Sequence, residues 1–260
     1  AKDMIIFSSM FLYEYSTDMI AKAIELAELD GVEFWVETPY FWIDRDLRKL
    51  ECFSDFTVAL HAPVLDLNPV SVNNAVCDLS LKETLYTISL CKETDAKLVT
   101  IHAGRRSALR EPVWADYNAL HKYLRISSRF AKLKNVTLSL ENSEKRVNNL
   151  CKNVDELRKF AESYDLAVTY DIMHSKQDEN FLELLDKICN VHISAENNGK
   201  HVRASKDEKT AEILRKLFDL GYNGLLTIEL DDLGIGQMDF REKVEVLKEE
   251  GEFLRSIFSR

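Results

Sequence analysis

The chain has 260 residues with a formal net charge of −10, and hydrophobic residues make up 46% of it. This composition is typical of a globular protein with a sizeable core, and it excludes a low-complexity or disordered chain. Because an acid excess repels phosphate backbones, it also argues against an extended contact with nucleic acid.

Short runs rich in β-branched and aromatic residues recur along the chain and predict eight strands. In chain order they are residues 4–7, 32–37, 56–61, 98–102, 136–141, 166–171, 188–193 and 225–230. Apolar residues at helical spacing lie between the strands and after the last one, and they predict amphipathic helices. These patterns cover residues 19–27, 81–91, 120–130, 154–161, 181–185, 211–218 and 244–257.

The number and length of these repeats favour a parallel barrel. Eight strand–helix pairs in 260 residues give about 32 residues per pair, which is the size of a βα unit. An open, doubly wound sheet is the alternative, but no GxGxxG motif follows the first strand. We therefore predict an α/β protein with a single (β/α)8 TIM barrel. No Pro-, Gly- or Ser-rich linker divides the chain, so one domain is expected over residues 1–260.

Side chains that can bind metal or transfer protons are concentrated at the carboxyl ends of the predicted strands. In a parallel barrel these ends form the active site. The residues on the second to eighth strands are Glu37, His61, His102, Glu141, Asp171, His192 and Glu229, with His174 and His201 in the loops after the sixth and seventh strands. A single histidine or glutamate at a strand end is usually structural, but such residues on seven consecutive strands favour a common site.

The residue types at these strand ends predict a metal site. Carboxylates and imidazoles that converge in one buried mouth repel each other or lack partners unless a cation is present. Glu141, Asp171, His192 and Glu229 would supply three carboxylates and one neutral nitrogen. This donor set suits Mn²⁺, Mg²⁺, Co²⁺ or Zn²⁺ and excludes a soft thiolate site. Four further histidines could hold additional metal ions, for which Zn²⁺ is then favoured: His61, His102, His174 and His201.

The motifs at these strand ends resemble those of the xylose isomerase-like barrel superfamily, also called the apurinic-endonuclease type 2 family. The stretches that carry the resemblance are LHAPVLDLN (60–68), TIHAGR (100–105), LEN (140–142), YDIMHS (170–175), VHI (191–193) and IEL (228–230). The family includes sugar isomerases, sugar epimerases and endonuclease IV, and the resemblance covers nearly the whole chain. It implies that Glu141, Asp171, His192 and Glu229 are the shared metal ligands.

The isomerase and epimerase branch of this family implies the first functional hypothesis. It is a divalent-metal-dependent isomerase or epimerase of a small sugar or sugar phosphate, in which Glu141 and Glu229 act as base and acid. The residues expected to bind the substrate are His174, Asn142, Arg105 and Arg203. Basic residues in the loops after the fourth and seventh strands are candidates for holding a phosphate: Arg105, Arg106, Lys200 and Arg203.

The endonuclease branch implies the alternative, a Zn-dependent phosphodiester hydrolase of the endonuclease IV type that acts on abasic DNA or on a small-molecule phosphodiester. That branch uses a three-metal cluster, whose additional ligands match His61, His102, His174 and His201. One ligand differs, because the branch has an Asp two residues before the last of these histidines and this chain has Gly199. A barrel that binds a ligand without catalysis is the third alternative, since a fold alone does not establish activity.

The sequence also bounds the compartment and the partners. The N-terminal residues lack the regions of a signal peptide, and no stretch reaches the ~18 apolar residues of a membrane span. The five cysteines form no CxxC pair, so a reducing cytoplasm is the expected location. The expected partner is a small carbohydrate or sugar phosphate, and neither nucleic acid nor a membrane. Aromatic residues after the second strand would stack on a sugar, cover a homo-oligomer interface or pack on the barrel rim: Trp35, Tyr40, Phe41 and Trp42.

Overall fold

Eight parallel strands close into a barrel in the computed structural model, which describes residues 4–259. In chain order these strands are β1 (Ile5–Ser8), β2 (Gly31–Trp35), β3 (Thr57–His61), β4 (Leu98–His102), β5 (Thr137–Glu141), β6 (Ala167–Asp171), β7 (Ile188–Ile193) and β10 (Leu225–Ile228). Two short strands outside the barrel, β8 (Ala195–Asn197) and β9 (Lys200–Val202), precede β10. Because β10 lies between β7 and β1, it closes the barrel. The predicted (β/α)8 TIM barrel is confirmed.

Helices follow most of the strands and cover the outside of the barrel. They are α1 (Thr17–Leu26), α2 (Pro39–Trp42), α3 (Asn74–Thr94), α4 (Trp114–Leu133), α5 (Val154–Tyr164), α6 (Glu208–Asp219), α7 (Asp232–Ile235) and α8 (Phe240–Phe258). The longer helices bury one apolar face, as Leu157 and Phe160 do in α5. A capping box of Asp239 and Glu242 begins α8. Among residues 4–259, no helix combines the length and the apolar character needed to cross a membrane.

The sixth repeat lacks the α-helix that the sequence predicts over residues 181–185. A 3-10 helix, Glu179–Leu184, takes its place. Lys176 and Gln177 both have positive φ, 55° and 60°, so the chain turns just before this segment and leaves too few residues for a stable α-helix. The strand bounds differ less, the largest changes being that β2 ends at Trp35 and β10 at Ile228, each two residues before its predicted end.

Side chains that point into the barrel form layers along its axis, because side chains alternate across each strand. The layer nearest the amino ends of the strands contains an apolar cluster: Ile6, Ala59 and Leu98. In the next layer, Oγ1 of Thr169 lies 3.0 Å from Oγ1 of Thr100 and 2.7 Å from Oγ of Ser139. The residues two positions further along these three strands therefore face the mouth of the barrel.

A two-stranded antiparallel hairpin, formed by β8 and β9, extends the loop after β7. Its turn consists of Asn198 and Gly199, which both have positive φ, 52° and 75°, as a two-residue type I′ turn requires. The helix α7 packs on β9, where a Cβ on Gly234 would lie 1.6 Å from the carbonyl oxygen of His201. The sequence prediction placed His201 in a plain loop, although the Asn-Gly pair was an available signal for the hairpin.

Candidate metal centre

Four side chains from four strands converge at the carboxyl end of the barrel. Glu141, Asp171 and His192 belong to β5, β6 and β7, and Glu229 directly follows β10. Nδ1 of His192 lies 2.6 Å from Oε1 of Glu141, 2.8 Å from Oε2 of Glu229 and 3.7 Å from Oδ2 of Asp171. All four side chains are buried. The structure thus brings together the four residues that were predicted as metal ligands.

Each of these four residues has a buried polar atom that lies close to other polar atoms of the cluster but makes no hydrogen bond of acceptable geometry. The atoms are Oε2 of Glu141, Oδ2 of Asp171, Nδ1 of His192 and Oε2 of Glu229. Buried polar atoms without partners are costly, and three carboxylates in one cluster also repel each other. A divalent cation would relieve both effects, and one ligand atom from each residue lies within 4.8 Å of the others. The residues therefore fit a divalent metal ion that prefers oxygen and imidazole ligands.

A carboxylate that the sequence prediction missed holds His192 in place. Glu33 in β2 is fully buried, and its two carboxylate oxygens lie 2.9 and 3.0 Å from Nε2 of His192. Asn190 donates to the same carboxylate at 2.5 Å, and Thr227 donates to Asn190 at 2.7 Å. Because the proton on Nε2 of His192 is donated to Glu33, the lone pair of Nδ1 remains for a cation.

The acidic residue that the sequence prediction placed at the end of the second strand, Glu37, has a different role. It lies in the turn after β2, where its carboxylate accepts hydrogen bonds from the backbone amides of Val64 and Leu65 at 3.0–3.1 Å. Burial raises its pKa. Glu33 could have been found from the sequence, because it lies within the predicted second strand, residues 32–37, and every second side chain of a strand points to the same face.

The first pair of additional histidines lies beside Glu141. Nδ1 of His61 donates to the carbonyl oxygen of Ala62 at 2.8 Å, so Nε2 is directed at Nε2 of His102, 3.2 Å away, and at Oε2 of Glu141, 3.8 Å away. Nε2 of His102 also contacts Oε2 of Glu141. Trp35 stacks on the His61 ring with 4.1 Å between the centroids. Glu141 therefore belongs to two groups of side chains that could hold a metal ion.

The second pair of additional histidines forms a third group with Asp171. Nδ1 of His174 lies 2.9 Å from the carbonyl oxygen of Asn142, and Nδ1 of His201 lies 2.7 Å from Oγ of Ser194. With these nitrogens engaged, Nε2 of each ring remains available as a ligand atom. All eight predicted metal ligands thus lie in one cluster, which offers donors for more than one metal ion.

The carboxylates of this cluster favour positive charge on the imidazoles. Burial alone lowers the pKa of His192, but the surrounding carboxylates, Glu229 foremost, raise it well above its ordinary value. Burial also opposes the charged form of His174, yet Asp171 and the neighbouring carboxylates raise its pKa to about 9. The same field would attract a metal cation in place of these protons.

Two of the predicted substrate-binding side chains are engaged elsewhere. The buried carboxamide of Asn142 bonds at both ends to the backbone of Asp171, at 2.7 and 3.0 Å. The guanidinium of Arg203 forms ion pairs with Glu249 at 2.6 Å and with Glu250 at 3.5 Å. Asn142 therefore fixes a predicted metal ligand, and Arg203 ties the loop after β9 to α8.

A cavity of about 210 Å³ opens above the cluster and is large enough for a small polar molecule. His174, a predicted substrate-binding residue, lines it together with the cluster histidines His61, His102 and His201. Its lining also includes apolar side chains: Met10, Trp35 and Leu230. Arg105, the remaining predicted substrate-binding residue, lines a neighbouring cavity. The cavity is thus lined by polar side chains of the cluster on one side and partly by apolar side chains on the other.

The barrel and its ligand cluster define a class of protein. The chain matches the family model for the xylose isomerase-like TIM barrel over residues 20–257, and it belongs to this family. The uncharacterized protein MJ1188 of Methanocaldococcus jannaschii is 37% identical over 265 residues, which cover 96% of this chain and 97% of the relative. Another protein of that organism, MJ1311, is 26% identical, and the match covers 93% of this chain and 87% of that relative.

Solved structures of sugar epimerases share the fold. A D-tagatose 3-epimerase-like protein is 24% identical with a TM-score of 0.77, and the match covers 97% of this chain and 98% of the other. An L-ribulose 3-epimerase is 20% identical with a TM-score of 0.78, and the match covers 98% and 94%. At these identities the likeness establishes a common barrel architecture.

Proposed function

We propose that the protein is a divalent-metal-dependent isomerase or epimerase of a small sugar or sugar phosphate. The observation that carries the proposal is a pair of carboxylates at one imidazole nitrogen. Oε1 of Glu141 lies 2.6 Å and Oε2 of Glu229 lies 2.8 Å from Nδ1 of His192. The two carboxylates come from β5 and β10, which β6 and β7 separate in the barrel. A substrate at this cluster would therefore meet carboxylates from two different walls.

Two such carboxylates can move protons to and from one substrate. One glutamate would remove the proton from a carbon next to a carbonyl group, and the other would return a proton to the same or the neighbouring carbon. A bound divalent metal would supply the positive charge that acidifies such a carbon. Asp171 and His192 would hold the metal with the two glutamates, and Glu33 would keep Nδ1 of His192 unprotonated.

The structural neighbours support a carbohydrate substrate. Two of them are named for the epimerisation of tagatose and ribulose, and this chain shares their fold over nearly its full length. The cavity of about 210 Å³ at the cluster also suits a short polyol better than a polymer. Both points favour a small sugar or sugar derivative.

Solvent deuterium exchange tests this proposal. Protein loaded separately with Mn²⁺, Co²⁺, Mg²⁺ or Zn²⁺ is incubated in D₂O with ketoses, aldoses and their phosphates, and exchange is followed by NMR. We expect deuterium next to the carbonyl group of at least one substrate. Exchange should fall about 100-fold or more in Glu141→Gln and in Glu229→Gln, since each removes a proton-transfer group. The control Glu162→Gln changes an exposed residue of α5 and should exchange like the parent protein.

Absence of exchange with every metal would contradict the proposal, as would full exchange in both glutamine variants.

A metal-dependent phosphodiester hydrolase is the second candidate, because His61 and His102 add a donor group at Glu141 and two further histidines add another. Two or three close metal ions would stabilise the attacking and leaving oxygens of a phosphodiester. About three zinc ions per chain, together with cleavage of bis(p-nitrophenyl) phosphate, would favour the hydrolase. About one metal per chain with sugar exchange would favour the isomerase.

A further inference from the structure

A second cavity adjoins the mouth of the barrel and is lined by arginines. Its volume is about 220 Å³, and its wall shares His102, Glu144 and His174 with the cavity above the metal centre. Arg105, in the loop after β4, and Arg146, in the loop after β5, also line it. We call it the guanidinium cavity after these two residues. A molecule that occupies one cavity can therefore reach the other.

The backbone that carries Arg105 is held firmly at this cavity. The side chain of Asn68 is buried and bonds to both backbone groups of Arg105, accepting from its N–H at 3.1 Å and donating to its carbonyl at 2.7 Å. Gly104 has a φ of +84°, and a Cβ there would lie 2.5 Å from Oδ1 of Asn68, so only glycine fits. A β-bridge from Arg105 to Asn149 joins the two loops. The backbone at Arg105 is therefore held in one position at the edge of the cavity.

The guanidinium cavity has an excess of positive charge within an acidic chain. Within residues 4–259, the Arg105 guanidinium forms no hydrogen bond or ion pair, although its backbone is bonded to Asn68. Nε of Arg146 pairs with Glu144 at 2.9 Å. Both guanidinium groups are exposed to solvent, and the carboxylate of Glu144, which also lies 3.7 Å from Nε2 of His174, pairs only with Arg146, so the charge of Arg105 has no partner among residues 4–259. An oxyanion in the cavity would compensate it.

Most other basic residues of the same loops are already paired. Arg106 donates to the carbonyl oxygen of Glu111 at 2.8 Å and lies 3.8 Å from Asp116. Lys145 forms an ion pair with Asp178 at 3.2 Å. Arg110 in the loop after β4 is also without an ion pair among residues 4–259, but it is exposed and does not line the guanidinium cavity, so Arg105 carries the unpaired charge that faces the cavity.

We propose that the guanidinium cavity binds an oxyanion carried by the substrate, a phosphate ester or a carboxylate, while the reacting carbons of the same molecule lie at Glu141 and Glu229. This inference rests on the proposed function. A guanidinium presents a planar fork of N–H groups that matches the oxygens of a phosphate or a carboxylate. The two cavities, about 210 and 220 Å³, suit a short polyol with one anionic end. The substrate is then a sugar phosphate or a sugar acid and not a neutral sugar.

The test measures binding to the full-length, metal-loaded protein by isothermal titration calorimetry, without turnover. Each anionic probe is compared with its neutral parent: a ketose phosphate with the ketose, and a sugar acid with the sugar. Because a phosphate or carboxylate group can also bind the metal, the measured quantity is how much each variant changes the difference within a pair. The variants are Arg105→Gln and Arg146→Gln. Arg110→Gln is the matched control, because Arg110 is exposed in the same loop and does not line the cavity.

We expect at least one anionic probe to bind tenfold or more tighter than its neutral parent. That preference should fall about tenfold in Arg105→Gln and in Arg146→Gln, because a charge-assisted hydrogen bond is stronger than a hydrogen bond between neutral groups. It should stay within about twofold in Arg110→Gln. The better of the two anionic probes identifies the oxyanion as phosphate or carboxylate.

Equal affinity for anionic and neutral probes would overturn the inference, and so would equal losses in all three variants. The outcomes separate it from the proposed function. Exchange into a neutral sugar without arginine-dependent binding would support the proposed function and contradict the anion site. Arginine-dependent binding without exchange into any probe would support the anion site and contradict the proposed function.

Discussion

The Glu33 carboxylate determines which nitrogen of His192 faces the ligand cluster. It accepts the Nε2 proton of His192 and is itself held by Asn190, which in turn accepts from Thr227. These side chains are fully or almost fully buried, so water cannot replace the missing partner. The tautomer of a candidate metal ligand is thus set by a residue that is not a candidate ligand itself.

Glu33→Gln is expected to weaken metal binding about 10–100-fold while the chain still folds. The substitution keeps the size of the side chain but offers an N–H to Nε2 of His192, which then has to accept, so the ring proton moves to Nδ1. Titration with metal-buffered solutions measures the affinity, and circular dichroism checks the fold. Glu162→Gln, an exposed change on α5, is the control. An affinity like that of the parent protein would show that Glu33 does not set the tautomer.

At the scale of elements, the hairpin of β8 and β9 carries a candidate ligand on a support that depends on one glycine. Gly234→Ala would force apart α7 and the backbone at His201, because the new Cβ would lie 1.6 Å from that carbonyl oxygen. We expect a loss of about 1–3 kcal/mol in the free energy of unfolding and weaker metal binding.

The control for Gly234→Ala is Gly221→Ala, at a position with φ of +86° and open space around a Cβ. It introduces backbone strain without displacing the hairpin, so it should cost about 1 kcal/mol and leave metal binding unchanged. Thermal unfolding and metal titration distinguish the two variants. If both weaken metal binding alike, the contact between α7 and β9 does not position His201.

The sequence predicted the strands well because each is a short buried run between turns, and the strand bounds differ by two residues or fewer. The convergence of the four main candidate ligands was predictable for a related reason, since a parallel barrel brings the ends of its strands together. Glu33 was not predicted because its partner His192 lies 159 residues further along the chain. The helix expected near residue 181 failed because two left-handed residues shorten the segment, which a pattern of apolar spacing does not reveal.

At the scale of the whole molecule, the metal-free protein is expected to lose stability as the pH rises. The carboxylates of the cluster raise the pKa of His174 to about 9, against an ordinary value of 6.5. A raised pKa contributes stability that is fully present below about 6.5 and is lost as the pH rises through about 9. The melting temperature in chelator should therefore fall between these two pH values. A bound metal should flatten this dependence, because the cation takes the place of the protons.

Thermal scans with and without chelator, at intervals between pH 6 and 9.5, measure this effect. His174→Gln removes the titrating ring and should show a smaller fall than the parent protein. A melting temperature that stays constant or rises over this range in the metal-free parent would show that the imidazoles are not charged in the folded cluster.

The place of β10 in the barrel has a consequence for how the protein is made. This strand pairs with both β1 and β7, and Glu229 follows it directly. A growing chain on the ribosome can bring Glu141, Asp171 and His192 near each other before residue 229 exists, but the barrel is still open at that stage. The complete set of ligands is assembled only when the last strand enters between the first and the seventh. A metal ion that needs all four ligands is therefore expected to bind only after residue 229 has been synthesised and β10 has entered the barrel.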